Sequence, residues 1–410
     1  MSLLSVEDLV VRFRTHGNVV HAVNGVSFEV AAGETMGLVG ESGCGKSVTS
    51  LAMMGLLPKP AGRVEGGRVM FDGLDLVSLS EKDLRDIRGR EIAMIFQDPM
   101  TSLNPVLTIE EQMVETIQAH SKMTAAEARR RTLELLEVVG IPRPETRLKS
   151  YPHEFSGGMR QRVMIAIALA LKPRLMIADE PTTALDVTIQ AQVLELLQGL
   201  TTDLDTAMIL ITHDLGVVAG MTQRINVMYA GFVVETATTG ELFERPMHPY
   251  TVGLLHSIPR LDEERPEQLI PIEGVPPDQR REPVGCPFAP RCAWRLEVCW
   301  TDNPPLVPVG NVSRVVTTGT DATHRFACHN PPTTEEVAAG RPLRDGFTAA
   351  PVPGTVIDRL LQADDVAPVA AEELALFDQE AADLVAPVPP GDSDGLAEPD
   401  DADRSTGEPR

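Results

Sequence analysis

Gly40-Glu41-Ser42-Gly43-Cys44-Gly45-Lys46-Ser47 fits the pattern GxxxxGK[ST], with Val48 next in the chain. Glycines at these spacings let successive backbone N–H groups curl around phosphate oxygens. The lysine of such a loop reaches the β- and γ-phosphates, and the following hydroxyl is offered to Mg²⁺. Lys46 and Ser47 are the residues for those two tasks. Asp179 and Glu180 end the apolar run that begins at Arg174. Neighbouring side chains on a strand point to opposite faces, so the two acids divide the work. Asp179 is the Mg²⁺ holder, acting through the ion's water shell, and Glu180 is the group that polarises an attacking water. Gln97 closes the run Glu91 to Phe96 and is a neutral side chain able to reach Mg²⁺ and water. His213 closes Met208 to Thr212, where it can contact a γ-phosphate and keep the water and Glu180 in line. Singly these are weak signals, since a strand-end acid or histidine is most often structural. Their order and spacing give them weight.

The elements that must position these groups are legible around them. Met36 to Val39 reads as a strand feeding the glycine loop, and Ser47 to Leu57 as the helix leaving it, whose N-terminus adds a positive end. Phe155-Ser156-Gly157-Gly158-Met159-Arg160-Gln161-Arg162 opens a further helix over Val163 to Leu171, a second anion-binding N-terminus. One nucleotide needs one phosphate loop, so this second site implies a second nucleotide-binding unit. Thr108 to Gly140 is helical in pattern, with Ala125-Ala126-Glu127-Ala128 and Leu133-Glu134-Leu135-Leu136 on amphipathic repeats. Phe13, upstream of the loop, is the aromatic candidate for stacking on adenine, although a strand Phe is more often core.

The Ser156-Gly157-Gly158 stretch, between a phosphate loop and an Asp-Glu strand, resembles the signature of ATP-binding cassette (ABC) proteins, with Met159 where Gln is commonest. The resemblance implies an α/β fold: a P-loop NTPase of ABC type, with a RecA-like core, an antiparallel β subdomain and a helical subdomain at about 98–155. It implies that Ser156, Gly157 and Gly158 meet the γ-phosphate of ATP held by a partner cassette. Thr183-Ala184-Leu185-Asp186 matches the loop that crosses that interface, with Asp186 among the nucleotide-site residues. Hydrolysis would then require dimer closure. Residues 1–247 would form the nucleotide-binding domain, its helical subdomain meeting a membrane permease and Gln97 coupling that contact to nucleotide state.

Two later stretches narrow the resemblance. Glu244-Arg245-Pro246-Met247-His248-Pro249-Tyr250-Thr251, followed by Leu254 to Pro259, and Pro283 to Cys292 are similar to the C-terminal extension of oligopeptide and dipeptide importer ATPases. Tyr151-Pro152-His153-Glu154 before the signature fits the same group. The likeness covers about residues 3 to 330. It implies an ATPase powering import of di- or oligopeptides, with nickel or another small solute as alternative cargo. Implied partners are a second ABC ATPase, identical or paralogous, two transmembrane permeases and an extracytoplasmic binding protein. The implied location is the cytoplasmic face of the cell membrane. A non-transport ABC ATPase acting on ribosomes or DNA is the rival reading. Such proteins carry two cassettes or a long coiled-coil insertion, and the chain has neither.

Composition agrees. The 410 residues are 43% apolar, without an 18-residue apolar run, and Met1 to Asp8 lacks the basic start of a signal peptide. A soluble, cytosolic chain is expected, reaching a membrane only through a partner. A net charge of −23 argues against nucleic acid. About half of it lies in residues 361–410, which hold fourteen acids against two arginines.

Four of the five cysteines cluster: Cys286, Cys292, Cys299 and Cys328, separated by five, six and 28 residues. Disulfides are rare in cytosolic chains, so metal is indicated. Zinc prefers a gap of two to four residues, and the longer gaps suit four thiolates on a [4Fe-4S] iron–sulfur cluster better. Some members of the resembled group carry such a cluster; zinc and unliganded thiols remain the other readings. These cysteines fall in an extension over 248–332. Residues 333–410, rich in Pro, Ala and acids, read as a disordered tail, with Leu374, Phe377, Ala381 and Leu384 spaced for a transient helix.

Overall fold

A computed structural model describes residues 2–15, 17–183, 185–257, 271–309 and 323–342. In chain order the strands are β1 (Ser2–Thr15), β2 (Asn18–Ala31), β3 (Thr35–Val39), β4 (Gly62–Phe71), β5 (Leu74–Asp75), β6 (Ile92–Ile95), β7 (Leu175–Asp179), β8 (Ala207–Thr212), β9 (Arg224–Tyr229), β10 (Phe232–Thr238), β11 (Val307–Pro308) and β12 (Arg325–Phe326). They form two sheets. One is antiparallel, ordered β2-β1-β4-β5. The other is ordered β11-β12-β10-β9-β3-β8-β7-β6, parallel from β9 to β6 and antiparallel beyond β9.

The parallel strands are short apolar runs because both their faces are covered. Every residue of β3, β7 and β8 is buried. One face packs on the antiparallel sheet and on the helix Lys46–Met53, joining Leu38, Ile177, Ile209 and Ile211 to Val11, Val69 and Phe71. The opposite face packs on helices Ile109–His120, Ala125–Val138 and Gly157–Leu169, joining Met176, Leu210 and Ala178 to Ile165, Leu136 and Met113. Thr108 and Thr124 each start their helix with a reciprocal bond to a glutamate three residues on, Glu111 and Glu127.

Register sets the site. Val39 pairs with Thr212, Asp179 with Ile211 and Ile95 with Ala178, so the carboxyl ends of four parallel strands stand side by side. Ligands of open α/β sheets bind at this edge. The helix expected over Ser47 to Leu57 stops at Met53, since Gly55 takes φ 65 and turns the chain. The helix expected from Val163 begins earlier, at Gly157, because Ser156 caps it: its hydroxyl accepts the Met159 N–H.

The extension has little regular structure of its own. β12 and β11 lengthen the main sheet beyond β10, and an aromatic cluster of Tyr229, Tyr250 and Phe288 packs helix Pro249–His256 against β9, with ring centroids 4.6 to 5.4 Å apart. The reading of disorder from residue 333 is corrected at its start. Thr334–Ala339 is a helix with a Thr333/Glu336 capping box, and Glu336 is buried. It docks because the Val337 carbonyl lies 2.7 Å from His256 Nε2. The proposed helix at Leu374 to Leu384 lies outside the described residues.

Candidate functional site

A cavity of about 310 Å³ opens at the carboxyl edge of the parallel strands. Ser42, Gly43, Gly45, Lys46, Ser47 and Val48 line one side, Gln97, Glu180 and His213 another, and Phe13, Val20, Ala22, Leu51, Pro58 and Gln279 the remainder. The glycine loop can take this shape only with glycine at 45. That residue has φ 101, and a Cβ there would lie 2.5 Å from the Ala22 carbonyl oxygen. Lys46, 5% exposed, donates to the carbonyls of Gly40 and Glu41 at 2.9 and 3.0 Å and lies 3.9 Å from Cys44 Sγ.

Ser47 Oγ donates to Asp179 Oδ1 at 3.1 Å, which places two oxygen donors side by side below the loop. The strand stops at Asp179. Glu180 follows with φ 42, a left-handed conformation that is uncommon for a side-chain-bearing residue. This kink, rather than strand alternation, separates the two carboxylates. Its backbone N–H remains tied to the Ile211 carbonyl, and its side chain is a hub. Gln97 Nε2 and Thr183 Oγ1 donate to Oε2 at 3.0 and 2.9 Å, while His213 Nδ1 lies 3.2 Å from Oε1. Burial opposes ionisation of Glu180. Hydrogen bonds from His213 and Thr183, with the charges of His213 and Lys46, outweigh it and hold the carboxyl below its usual range. The same bond to Glu180 raises the His213 pKa against the effect of burial.

Not every expected residue faces the cavity. Gly40, Glu41 and Cys44 are absent from its lining: the Glu41 carboxylate turns to Arg291 and Cys44 is buried. Phe13, carried on β1, lines the cavity and also belongs to the core. Ser156, Gly157 and Gly158 stand apart from it, with Ser156 and Gly157 exposed. Gly158 has a packing role as well, since a Cβ would meet Ile189 at 2.6 Å. Asp186 is exposed and caps helix Val187–Leu204 by accepting the Ile189 N–H. Thr183 as a partner of Glu180, and Gln279 as a wall residue, were not identified from sequence. Gln279 is 236 residues from its Gly43 contact, and no local pattern marks it.

Burial raises the pKa values of Cys286, Cys292 and Cys328, with neighbouring cysteines adding to the shift; Cys286 is pushed up to about 11. Each sulfur accepts a backbone N–H: Cys286 from Phe288 and Ala289, Cys292 from Trp294, Cys299 from Leu296 and Cys328 from Asn330. All are free thiols. The expected iron–sulfur site finds no support in this arrangement. Among the described residues no three or more His, Cys, Asp or Glu side chains stand in an arrangement that could hold a metal ion. No helix among them is long and apolar enough to cross a membrane.

Residues 23–183 match the family model for ABC transporters, and residues 234–299 match the C-terminal region of oligopeptide/dipeptide transporters. The oligopeptide transport ATP-binding protein OppD of Bacillus subtilis (strain 168) is 53% identical over 76% of this chain and 87% of its own length. The dipeptide transport ATP-binding protein DppD of the same organism is 56% identical over 72% of this chain and 88% of its own. The ATP-binding cassette MJ0796, solved as a dimer in a post-hydrolysis state with ADP and Pi, superposes with a TM-score of 0.52 at 29% identity. That match covers 58% of this chain and 98% of the cassette. Both the recognised resemblance and the P-loop NTPase fold of ABC type are thereby borne out. The chain belongs to the ATP-binding-protein family of the oligopeptide and dipeptide ABC transporters, and it is an ABC-type ATPase.

Proposed function

We propose that this chain hydrolyses ATP to energise import of di- or oligopeptides. The observation that carries the reading is the pairing of a complete cassette with the transporter-specific C-terminal region in one chain, at more than half identity to peptide-transport ATPases. The chain would work on the cytoplasmic face of the membrane, with a second cassette, two permeases and an extracytoplasmic binding protein.

Phosphoryl transfer asks a protein mainly for positioning and charge stabilisation. Lys46 neutralises the β- and γ-phosphate oxygens. Ser47 Oγ and Asp179 Oδ1 are hard oxygen donors side by side, which fits Mg²⁺. Held there, the ion would supply positive charge to the phosphate oxygens. Glu180 accepts a proton from the attacking water. Gln97, Thr183 and His213 fix its carboxylate, and the bonds from His213 and Thr183 keep it ionised. Phe13 offers its ring to the adenine. Ser156, Gly157 and Gly158, at the start of a thirteen-residue helix with Ser156 and Gly157 exposed, are read as closing the cavity of the partner cassette, with Asp186 at the same interface.

The four cysteines are read as holders of an iron–sulfur cluster. The support is the grouping of four cysteines within one extension, the burial of Cys292 and Cys299, and the backbone N–H groups directed at all four sulfurs. The cluster's contribution would be to cross-link an extension that has little secondary structure. Iron and acid-labile sulfide in anaerobically prepared protein test this; colourless, iron-free protein would refute it.

The import reading is tested by affinity purification of the tagged chain from detergent-solubilised membranes. Co-elution of two permeases and a second ATPase is expected. Recovery with ribosomes, or alone with full ATPase activity, would overturn the transport assignment.

A further inference from the structure

The outer arc of the phosphate loop is held by the extension rather than by the cassette alone. Arg291 commits all five of its guanidinium donors. Nη1 and Nη2 bond the two Glu41 carboxylate oxygens at 2.7 and 3.1 Å, Nη1 also reaches Tyr229 Oη, and Nη2 and Nε bond the carbonyls of Ile272 and Glu273. The Arg291 side chain is 5% exposed, and its guanidinium sits over the Tyr229 ring, 5.9 Å from its centroid. Such a bidentate, charge-assisted pair is both strong and geometrically exacting. Tyr250 Oη accepts the Glu41 N–H at 2.8 Å. Gln279 Nε2 donates to the Gly43 carbonyl at 2.7 Å, while its own carbonyl accepts the His21 N–H, tying the loop to β2. Three side chains of the C-terminal part therefore grip residues 41 and 43 of a loop whose middle residues line the nucleotide cavity.

A phosphate loop binds through backbone N–H groups whose directions must be set before the ligand arrives. Arg291 is also the residue immediately before Cys292, so displacement of the thiol module moves the guanidinium directly. We infer that Arg291 is a positioning residue of the nucleotide site: through Glu41 it presets the phosphate loop, and the integrity of the four-cysteine module thereby sets ATP affinity. This rests on the ATPase reading above.

The test is equilibrium titration of the full chain with a fluorescent N-methylanthraniloyl ATP, comparing Glu41→Ala, Arg291→Ala and the double variant. Glu41→Ala leaves the other bonds of Arg291 in place, so it probes the brace even if Arg291→Ala weakens the extension. Each single variant is expected to raise Kd about tenfold and the double variant no further, because both remove one interaction. Arg291→Lys, with the charge but not the fork, should recover only part of the loss. Cys292→Ser should raise Kd in the otherwise unaltered chain and add nothing in the Glu41→Ala background. A Glu41→Ala Kd within twofold of the unaltered chain would overturn the inference, as would losses that multiply in the double variant, or a Cys292→Ser Kd that does not move. A purely structural Arg291 would lower the unfolding midpoint and leave Glu41→Ala silent. Saturable binding by the unaltered chain tests the ATPase reading, so either idea can fail alone.

Discussion

Two hydrogen-bonded glutamates, one at the nucleotide cavity and one beneath the extension, are built for opposite purposes. Glu180, at the cavity, is held by three side chains, sits in a left-handed backbone conformation and keeps 14% of its side chain exposed. Glu235, in β10 below the extension, is fully buried and accepts from the backbone N–H groups of Met247 and His248 and from His324 Nε2 at 2.7 to 2.9 Å. A carboxylate kept for chemistry is reachable and held by groups that can rearrange. One kept for architecture is sealed and bonded to backbone. The cassette draws its order from strands in register, whereas the extension, poor in regular structure, draws it from single polar hubs such as Glu235 and Arg291.

The sharpest way to separate the two is to remove each charge. Glu180→Gln should lower steady-state ATP turnover by about 10² to 10⁴-fold, the range for loss of a general base, while ATP binding persists. Turnover near that of the unaltered chain would strip Glu180 of its role. Glu235→Leu should instead cost stability, about 3–5 kcal/mol in urea unfolding, because it leaves two buried N–H groups and His324 without their acceptor. An unfolding curve unchanged by Glu235→Leu would erase the contrast.

A smaller effect comes from pH. His248 is fully buried, and burial lowers its pKa to about 4, with nearby Glu235 opposing the shift. Unfolded, it titrates near 6.5. Between those values the unfolded chain binds the extra proton, so stability is complete above about 6.5 and is lost as pH falls toward 4. Moving from pH 7 to pH 5 should cost on the order of 2 kcal/mol, and His248→Gln should flatten that dependence. A slope unchanged by His248→Gln would place the acid sensitivity elsewhere.

The same contrast explains what was legible in the sequence. Lys46, Ser47, Gln97, Glu180 and His213 lie in or beside short apolar runs, and parallel pairing brings the ends of those runs together. Local pattern sufficed there. The grip of Arg291 on Glu41 spans 250 residues, and that of Tyr250 on the same residue spans 209. Nothing in either neighbourhood announces the other. The helix Thr334–Ala339 was hidden differently: its Thr333/Glu336 capping box is a local signal, outweighed by the polar, proline-bearing composition around it.

The assignment as a transport-coupled ATPase is tested most directly by reconstitution. The complex recovered with this chain would be placed in lipid vesicles, and uptake of a radiolabelled peptide measured with ATP on the side of the cassettes. ATP-dependent uptake that disappears with Glu180→Gln is the expected result. Uptake that persists with Glu180→Gln, or ATP hydrolysis without any peptide movement, would contradict it.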